Sequence, residues 1–84
     1  MFNLQENLKK FVGEKTVIAQ DGFLQSKFVL NGLVYEIEND LLKIGDEKND
    51  CYIKINLNQV YRADNGERKI KLYVDNDATI TIEK

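Results

Sequence analysis

The stretch CYIKINLNQVYRA, residues 51–63, decides the fold that this sequence predicts. From Cys51 to Leu57, apolar and polar residues alternate. A period of two is typical of a β-strand with one buried face and one solvent-exposed face. The residues that follow, 57–60, predict a tight bend into a second short strand, 60–63. The sequence therefore predicts an antiparallel sheet in which residues 51–57 form the central strand.

The C-terminal residues show the same alternation on both sides of Asp75-Asn76-Asp77. A three-residue loop at this point pairs residues 69–74 with residues 78–83, apolar facing apolar and polar facing polar. The predicted pairs are Val74 with Ala78, Leu72 with Ile80, Ile70 with Ile82, Tyr73 with Thr79, Lys71 with Thr81, and Lys69 with Glu83. All six pairs are compatible, which is the agreement expected of a true hairpin.

The N-terminal residues 3–12 predict a helix. Asn3 is a good N-cap, Glu6 completes a capping box three residues later, and Gly13 suits the left-handed position that ends a helix. The apolar stripe consists of Leu4, Leu8, Phe11 and Val12. This stripe favours a helix that covers one open end of a small barrel, with a helix that binds a partner as the alternative.

The following residues predict two strands, 15–20 and 23–30, joined by a two-residue hairpin turn at Asp21-Gly22. Asn31-Gly32 then allows two interpretations. A type I′ hairpin would pair Lys27 with Glu36 and Phe28 with Tyr35. Alternatively, Gly32 lies inside one long strand, residues 23–38, and permits a sharp bend.

The remaining segments complete the predicted sheet. Residues 41–44 form a short strand after a turn at Asn39-Asp40, and residues 45–50 form a polar loop. Residues 64–67 form another turn. The predicted fold is a single domain, residues 1–84, of the mainly β (α+β) class. It has one N-terminal helix followed by a bent antiparallel sheet or small barrel of five to seven strands.

Several chemistries are excluded by residue types that the sequence lacks. The chain has no histidine, so it contains neither a Ser-His nor a Cys-His pair and no histidine ligand for a metal. Neither glycine-rich phosphate-binding motif is present. We therefore expect no catalytic residue, no metal and no cofactor, although a hydrolase that uses two carboxylates stays an alternative. Two acidic groups are interpreted as turn and loop residues rather than cation ligands. They are Asp75-Asn76-Asp77, and Asp46-Glu47 with Asp50.

The single cysteine and the N-terminus bear on localisation. Cys51 cannot form an internal disulfide and is expected to be a small buried core residue. The first ten residues have no long apolar segment, and no apolar run reaches the roughly 18 residues that span a membrane. We expect a cytoplasmic protein with no membrane association.

A group of basic and aromatic residues is the main functional candidate. Lysines interleaved with aromatics on a sheet face are typical of a platform for single-stranded nucleic acid. The candidates are Tyr52, Lys54, Arg62, Arg68, Lys69, Lys71 and Tyr73. The net charge of −2 favours the alternative, an ordinary solvated sheet face.

Three segments resemble the Sm-like family of small β-barrels. The helix and first strand of that family resemble the segment LKKFVGEKTVIAQDG. The bend in the family's second strand falls at Gly32 of the segment FVLNGLVYEIEND. The family's Arg-Gly-Asp-Asn turn is similar to the segment YRADNG. The resemblance implies ring-forming oligomers with RNA contacts at Arg62 and Asn65. The sequence departs from the family at Ala63, which replaces the motif glycine, and in lacking a clear Asp-x-x-Met-Asn loop. An SH3-like barrel of unrelated function is equally compatible.

Assembly is predicted from the last strand. Residues 78–82, ATITI, form a β-prone run without charge, and a terminal strand would need a partner for its backbone groups. Thr79, Ile80, Thr81 and Ile82 are therefore the predicted oligomer edge. The alternative is that this strand pairs with residues 15–20 in a monomer. The predicted function is a non-enzymatic binding module for RNA or single-stranded nucleic acid, with a protein-interaction or inhibitor module as the alternative.

Overall fold

A computed structural model describes residues 4–22, 25–46, 52–75 and 77–84. Within these ranges the chain forms one short helix and eight strands in two antiparallel sheets. The elements are α1 (Leu4–Lys9), β1 (Thr16–Asp21), β2 (Ser26–Leu30), β3 (Leu33–Glu38), β4 (Leu41–Asp46), β5 (Tyr52–Asn56), a 3-10 helix (Leu57–Gln59), β6 (Val60–Asn65), β7 (Lys69–Val74) and β8 (Ala78–Glu83). The mainly β class with an N-terminal helix is confirmed. The described strands exceed the predicted five to seven and form two separate sheets rather than a closed barrel.

The larger sheet has the strand order β2-β1-β8-β7-β6. All six predicted pairs of the β7–β8 hairpin are confirmed. β8 is not an edge, because it pairs with β1 on its other side. Ile82 faces Ile18 in one neighbouring strand and Ile70 in the other, and it is fully buried. The prediction that residues 79–82 form an open oligomer edge is therefore wrong, and the alternative pairing with the first strand is confirmed.

The smaller sheet has the strand order β3-β4-β5. The predicted alternation of β5 is confirmed, since Ile55 is buried and Lys54 is exposed. Its predicted central position is wrong, because β4 lies in the middle and buries Leu42 and Ile44. β4 also extends through Gly45 and Asp46, which were expected in a loop. Cys51 and residues 47–50, with their predicted roles, lie outside the described residues.

At Asn31-Gly32 the chain passes from one sheet to the other. β2 pairs with β1 and β3 pairs with β4, so the predicted hairpin between β2 and β3 does not form. The bent-strand interpretation is closer to the observed path. The Asn31 N–H donates to a carboxylate oxygen of Asp46 at 2.9 Å, and the Leu33 N–H donates to the Glu14 carbonyl at 3.2 Å. These bonds satisfy backbone groups where the chain leaves the first sheet.

The 3-10 helix makes the second passage between the sheets, at the bend predicted after residue 57. Its cap is Asn56, whose side-chain oxygen accepts a hydrogen bond from the Asn58 N–H at 3.0 Å. The Leu57 N–H donates to the Asp40 carbonyl at 2.7 Å. This passage places β6 at the far edge of the larger sheet, where the candidate site lies.

Two predicted turns are displaced. Gln20 pairs with Ser26, so the two-residue hairpin at Asp21-Gly22 is wrong. Asp21 stays in β1 because it pairs with Thr79 of β8. β6 likewise continues through Asn65, which pairs with Ile70, and the turn after it begins at residue 66.

The helix is shorter than the predicted residues 3–12. Asn3 lies outside the described residues, and after Lys9 the chain continues in tighter turns. Gly13 has the predicted left-handed conformation, with φ of 78°, and its N–H donates to the Leu33 carbonyl at 2.9 Å. Val12 is 49% exposed and forms a bridge with Leu33, so it does not belong to the buried stripe.

The core lies between the inner faces of the sheets and under the helix. Its fully or almost fully buried members are Leu4, Leu8, Phe11, Ile18, Leu33, Leu42, Ile44, Ile55, Ile70, Leu72 and Ile82. Since each strand contributes alternate residues to this core, the residues between them form two outer faces on which polar and aromatic side chains gather.

Candidate functional site

A β-bulge in β6 shapes the candidate site. Val60 pairs with Val74 and Arg62 pairs with Tyr73, so the intervening Tyr61 has no partner in β7. Strict alternation would turn Arg62 toward the core. The extra residue instead leaves Val60 and Ala63 packed on the core while the two residues between them both reach solvent. Tyr61 faces outward with or without the bulge, and it is 63% exposed.

The bulge places Tyr61 and Arg62 beside residues of β7. We call Tyr61, Arg62, Asp64, Lys71 and Tyr73 the Tyr73 cluster. The Tyr61 and Tyr73 rings lie 6.3 Å apart between centroids with an interplanar angle of 46°. The Arg62 guanidinium carbon lies 5.0 Å from the Tyr73 ring centroid, and Lys71 Nζ lies 5.3 Å from it. Both distances are within the range of cation–π attraction.

Asp64 holds this cluster together. Its Oδ2 accepts a hydrogen bond from the Tyr73 hydroxyl at 3.0 Å, and its Oδ1 lies 3.3 Å from Arg62 Nε. The hydrogen bond to Asp64 raises the pKa of Tyr73 above its ordinary value of 10.0, because the carboxylate stabilises the protonated phenol. The carboxylate also offsets part of the positive charge of Arg62 and Lys71.

The other predicted residues of the larger sheet surround this cluster. Lys69 lies in β7 opposite Glu83. Asn65 is exposed at the end of β6. Arg68 instead donates from Nε to the carbonyl of Lys84 at 3.3 Å. Lys69 and Asn65 are thus neighbours of the Tyr73 cluster along its two strands, and Arg68 contacts the C-terminal residue.

Tyr52 and Lys54 lie elsewhere, in β5 of the smaller sheet. Tyr52 is 49% exposed. Lys43 Nζ lies 4.0 Å from the centroid of the Tyr52 ring, and Lys54 Nζ lies 5.7 Å from it. The basic and aromatic residues that the sequence grouped together are therefore divided between the outer faces of two sheets.

Sequence reasoning missed three residues of these faces: Tyr61, Asp64 and Lys43. Tyr61 and Asp64 were assigned to a strand and a turn without a functional role. The available signal was Arg62, since a charged residue at an inward position of an alternating strand indicates a bulge. Lys43 gave no local signal, because its contact with Tyr52 depends on the pairing of β4 with β5.

The described ranges contain no cluster of three metal-ligating side chains of the His, Cys, Asp or Glu types. No helix among the described residues is long and apolar enough to cross a membrane. No protein-family model, curated protein or solved structure matches the chain.

Proposed function

We propose that this protein is a non-enzymatic module that binds single-stranded nucleic acid, RNA in the Sm-like interpretation, at the Tyr73 cluster. The observation that carries the proposal is the exposure of Tyr61 beside Tyr73 on a face that also presents Arg62 and Lys71. Aromatic rings next to cationic side chains are the two components of a single-strand platform.

Stacking supplies the first part of the interaction. Among the described residues, Tyr61 has the highest exposed fraction of the large apolar and aromatic side chains. A base that stacks on such a ring contributes about 1–3 kcal/mol, with little dependence on sequence. Tyr73 is partly covered by its cationic neighbours, so Tyr61 is the primary stacking residue and Tyr73 supports it.

Phosphate contacts supply the second part. Arg62 and Lys71 flank the tyrosines, and Lys69 lies two residues from Lys71 on the same outer face of β7. A phosphate must compete with Asp64 for Arg62, because the two side chains already form an ion pair. We therefore expect modest affinity that weakens as the salt concentration rises.

Ring formation stays a prediction, but the open β8 edge on which it rested is absent. Among the described strands, β2 and β6 end the larger sheet and β3 and β5 end the smaller one. A homo-oligomer would have to use one of these edges or a face. Light scattering at several protein concentrations tests this, and a monomer mass throughout would remove the ring from the proposal. The protein-interaction and carboxylate-hydrolase alternatives likewise stay predictions.

The binding test uses fluorescence anisotropy with labelled oligouridylate and oligothymidylate at low salt. We expect Tyr61→Ala to weaken binding by about tenfold, which corresponds to the loss of one stacking contact. Tyr52→Ala is the matched control, because it removes another exposed tyrosine from the other sheet; it should change affinity less than about twofold. Asp64→Asn should strengthen binding, since it releases Arg62 and removes a negative charge.

Two results would contradict the proposal. One is the absence of any anisotropy change with either oligonucleotide at low salt. The other is an equal loss for the Tyr61 and Tyr52 variants, which would show that the Tyr73 cluster is not the binding surface. Unchanged circular dichroism spectra of the variants would exclude unfolding as the cause.

A further inference from the structure

The four sheet edges differ in how they are protected against pairing with another chain. Among the described strands, β2 and β6 end the larger sheet, and β3 and β5 end the smaller one. The unpaired backbone groups of an edge strand can pair with another molecule, and proteins prevent this with bulges, charged side chains or covering segments. Three of the four edges have such a feature at or near the middle of the strand or along its side.

Each of these three edges is protected in its own way. β6 contains the bulge at Tyr61. β5 has the exposed side chain of Lys54 at its centre. β3 carries two exposed glutamates, and its first residue, Leu33, forms a bridge with Val12. A further strand would therefore meet a distorted backbone, a charge or a covering segment at each of them.

The edge formed by β2 lacks this protection. Its pairing with β1 is regular from Ser26 to Leu30, without a bulge. Its one charged residue, Lys27, lies near the start of the strand and is followed by three consecutive apolar residues. Among the described strands, β2 pairs only with β1. The backbone on its other side is therefore open to a further strand.

Phe28 and Val29 expose apolar surface on opposite faces of β2. Phe28 lies opposite Ile18, whose side chain is buried in the core, yet 40% of Phe28 is exposed. Val29 lies opposite Val17 on the outer face and is 55% exposed. A ligand that rests on one face of the sheet would cover only one of these side chains. A strand that pairs with β2 extends both faces of the sheet, so it covers both.

The sequence around Val29 has the same order of polarity in both directions. Residues 27–31 read Lys-Phe-Val-Leu-Asn, with a polar residue at each end and three apolar residues between them. This segment therefore matches an antiparallel copy of itself. Aligned on the central valine, the pairs are Val29 with Val29, Phe28 with Leu30, and Lys27 with Asn31, apolar facing apolar and polar facing polar.

Other alignments of the two copies are less favourable. A shift of one residue sets inward-facing side chains beside outward-facing ones. A shift of two residues pairs Lys27 with Val29 and Ser26 with Leu30, which sets polar side chains against apolar ones. The alignment on Val29 is thus the one that the side chains favour.

The charges beside β2 also permit two identical surfaces to meet. A groove of about 430 Å³ opens between the sheets next to this strand. The charged residues that line it are Lys27 and Asp46, one of each sign. Two copies of a surface with a single sign would repel each other across a two-fold axis. Here the two signs balance within each copy.

We propose that β2 pairs with β2 of a second copy of this chain, antiparallel and about a two-fold axis at Val29. The two larger sheets then join into one, and the backbone groups on the open side of each β2 are paired. Phe28 packs against Leu30 of the second copy on the inner face, and the two Val29 side chains pack together on the outer face. Because a two-fold pairing closes after two copies, the product is a dimer, whereas a ring needs two different edges.

The first test measures the mass of the complete chain by light scattering from low to high micromolar concentration. We expect the mass to rise toward twice that of the monomer. Hydrogen exchange of the β2 amides should slow over the same concentration range, because the pairing protects them.

The second test places charges on the two-fold axis. Val29→Lys and Val29→Glu each set like charges opposite each other and remove apolar contact, so each should weaken the dimer by at least about tenfold. Mixing the two variants sets opposite charges together. The mixed dimer should form at least about fivefold more tightly than either variant dimer, as measured by native mass spectrometry. Val29 is exposed, so the fold should be retained, and recovery on mixing shows that it is.

Leu41→Lys is the matched control. Leu41 is also an exposed apolar residue, but it lies in β4 of the smaller sheet and does not line the groove. This substitution should change the dimer affinity less than about twofold.

Four outcomes would overturn the proposal. A monomer mass of the unaltered chain at every concentration would leave the β2 edge to a strand of another protein. A mass above that of the dimer would indicate pairing between two different edges. An absence of recovery on mixing, or an equal loss in Leu41→Lys, would exclude Val29 from the contact. Tighter association of Val29→Glu alone would place Lys27, rather than Val29, opposite this position. None of these measurements depends on nucleic-acid binding at the Tyr73 cluster.

Discussion

Tyr52 and Tyr73 have similar surroundings on different sheets. Each ring lies near two cationic side chains from paired strands, Lys43 and Lys54 at Tyr52, and Arg62 and Lys71 at Tyr73. The difference is a carboxylate. Asp64 bonds to the Tyr73 hydroxyl and pairs with Arg62, whereas no carboxylate among the described residues forms an ion pair with the lysines near Tyr52.

This difference gives the two faces different electrostatic properties. At the Tyr73 cluster, Asp64 lowers the net positive charge, and the bulge turns Arg62 outward beside a second exposed ring, Tyr61. At Tyr52, no ion pair with a described carboxylate offsets the charge of Lys43 and Lys54. Similar residue types therefore give two faces of different net charge.

The largest expected effect is the difference in the free energy of unfolding between two single-residue deletions, one on each face. Deleting Tyr61 removes the bulged residue, so Val60 and Arg62 keep their partners in β7. We expect the free energy of unfolding to change by less than about 1 kcal/mol. Deleting Lys54 makes Ile53 and Ile55 neighbours, and they cannot then both face the core. That variant should lose at least about 3 kcal/mol, because Ile55 is almost fully buried.

Urea denaturation of both deletion variants measures this difference. The Tyr61 deletion should also bind oligouridylate as weakly as Tyr61→Ala, which links the bulge to the proposed function. An equal loss of stability in the two variants would show that β6 contains no bulge at Tyr61. A stable Lys54 deletion would show that the register of β5 is not set by its apolar side chains.

Features that depend on local pairing could be predicted from the sequence. The β7–β8 hairpin was predicted pair by pair, because a three-residue loop and an uninterrupted alternation leave one register that buries Ile70, Leu72 and Ile82 together. The alternation of β5 was predicted for the same reason. Both are properties of a short segment and need no knowledge of distant residues.

The position of a strand within its sheet could not be predicted in this way. β8 lies beside β1, which comes from the other end of the chain, and β5 lies at an edge because β4 pairs on both sides. Such pairings depend on which apolar faces meet in the folded chain. The predicted basic and aromatic residues are split between two sheets for the same reason. Tyr52 and Tyr73 have similar local sequences but belong to different sheets.

Charge reversal on the two faces should change stability in opposite directions. Lys54→Glu places an acidic residue opposite Lys43 and should raise the free energy of unfolding by about 0.2–1 kcal/mol. Lys71→Glu places one opposite Asp64 and should lower it by a similar amount. Urea denaturation at low and high salt checks both, since screening should shrink each change. Changes of the same sign would mean that the cross-strand charges do not determine the difference between the faces.

The smallest expected effect concerns the proton on Tyr73. Because the hydrogen bond to Asp64 raises the pKa of Tyr73 in the folded protein, the unfolded chain releases this proton at lower pH than the folded chain does. The resulting contribution to stability is fully present below the ordinary tyrosine pKa of 10.0 and is lost as pH rises through the higher folded value.

Asp64→Ala should lower the pKa of Tyr73 toward that ordinary value. NMR titration of the Tyr73 ring, assigned with Tyr73→Phe, measures the change. Asp75→Ala removes a carboxylate of the same charge just beyond β7 and serves as the control. An equal decrease in both variants would mean that general negative charge, rather than the bond from the Tyr73 hydroxyl to Asp64, raises this pKa.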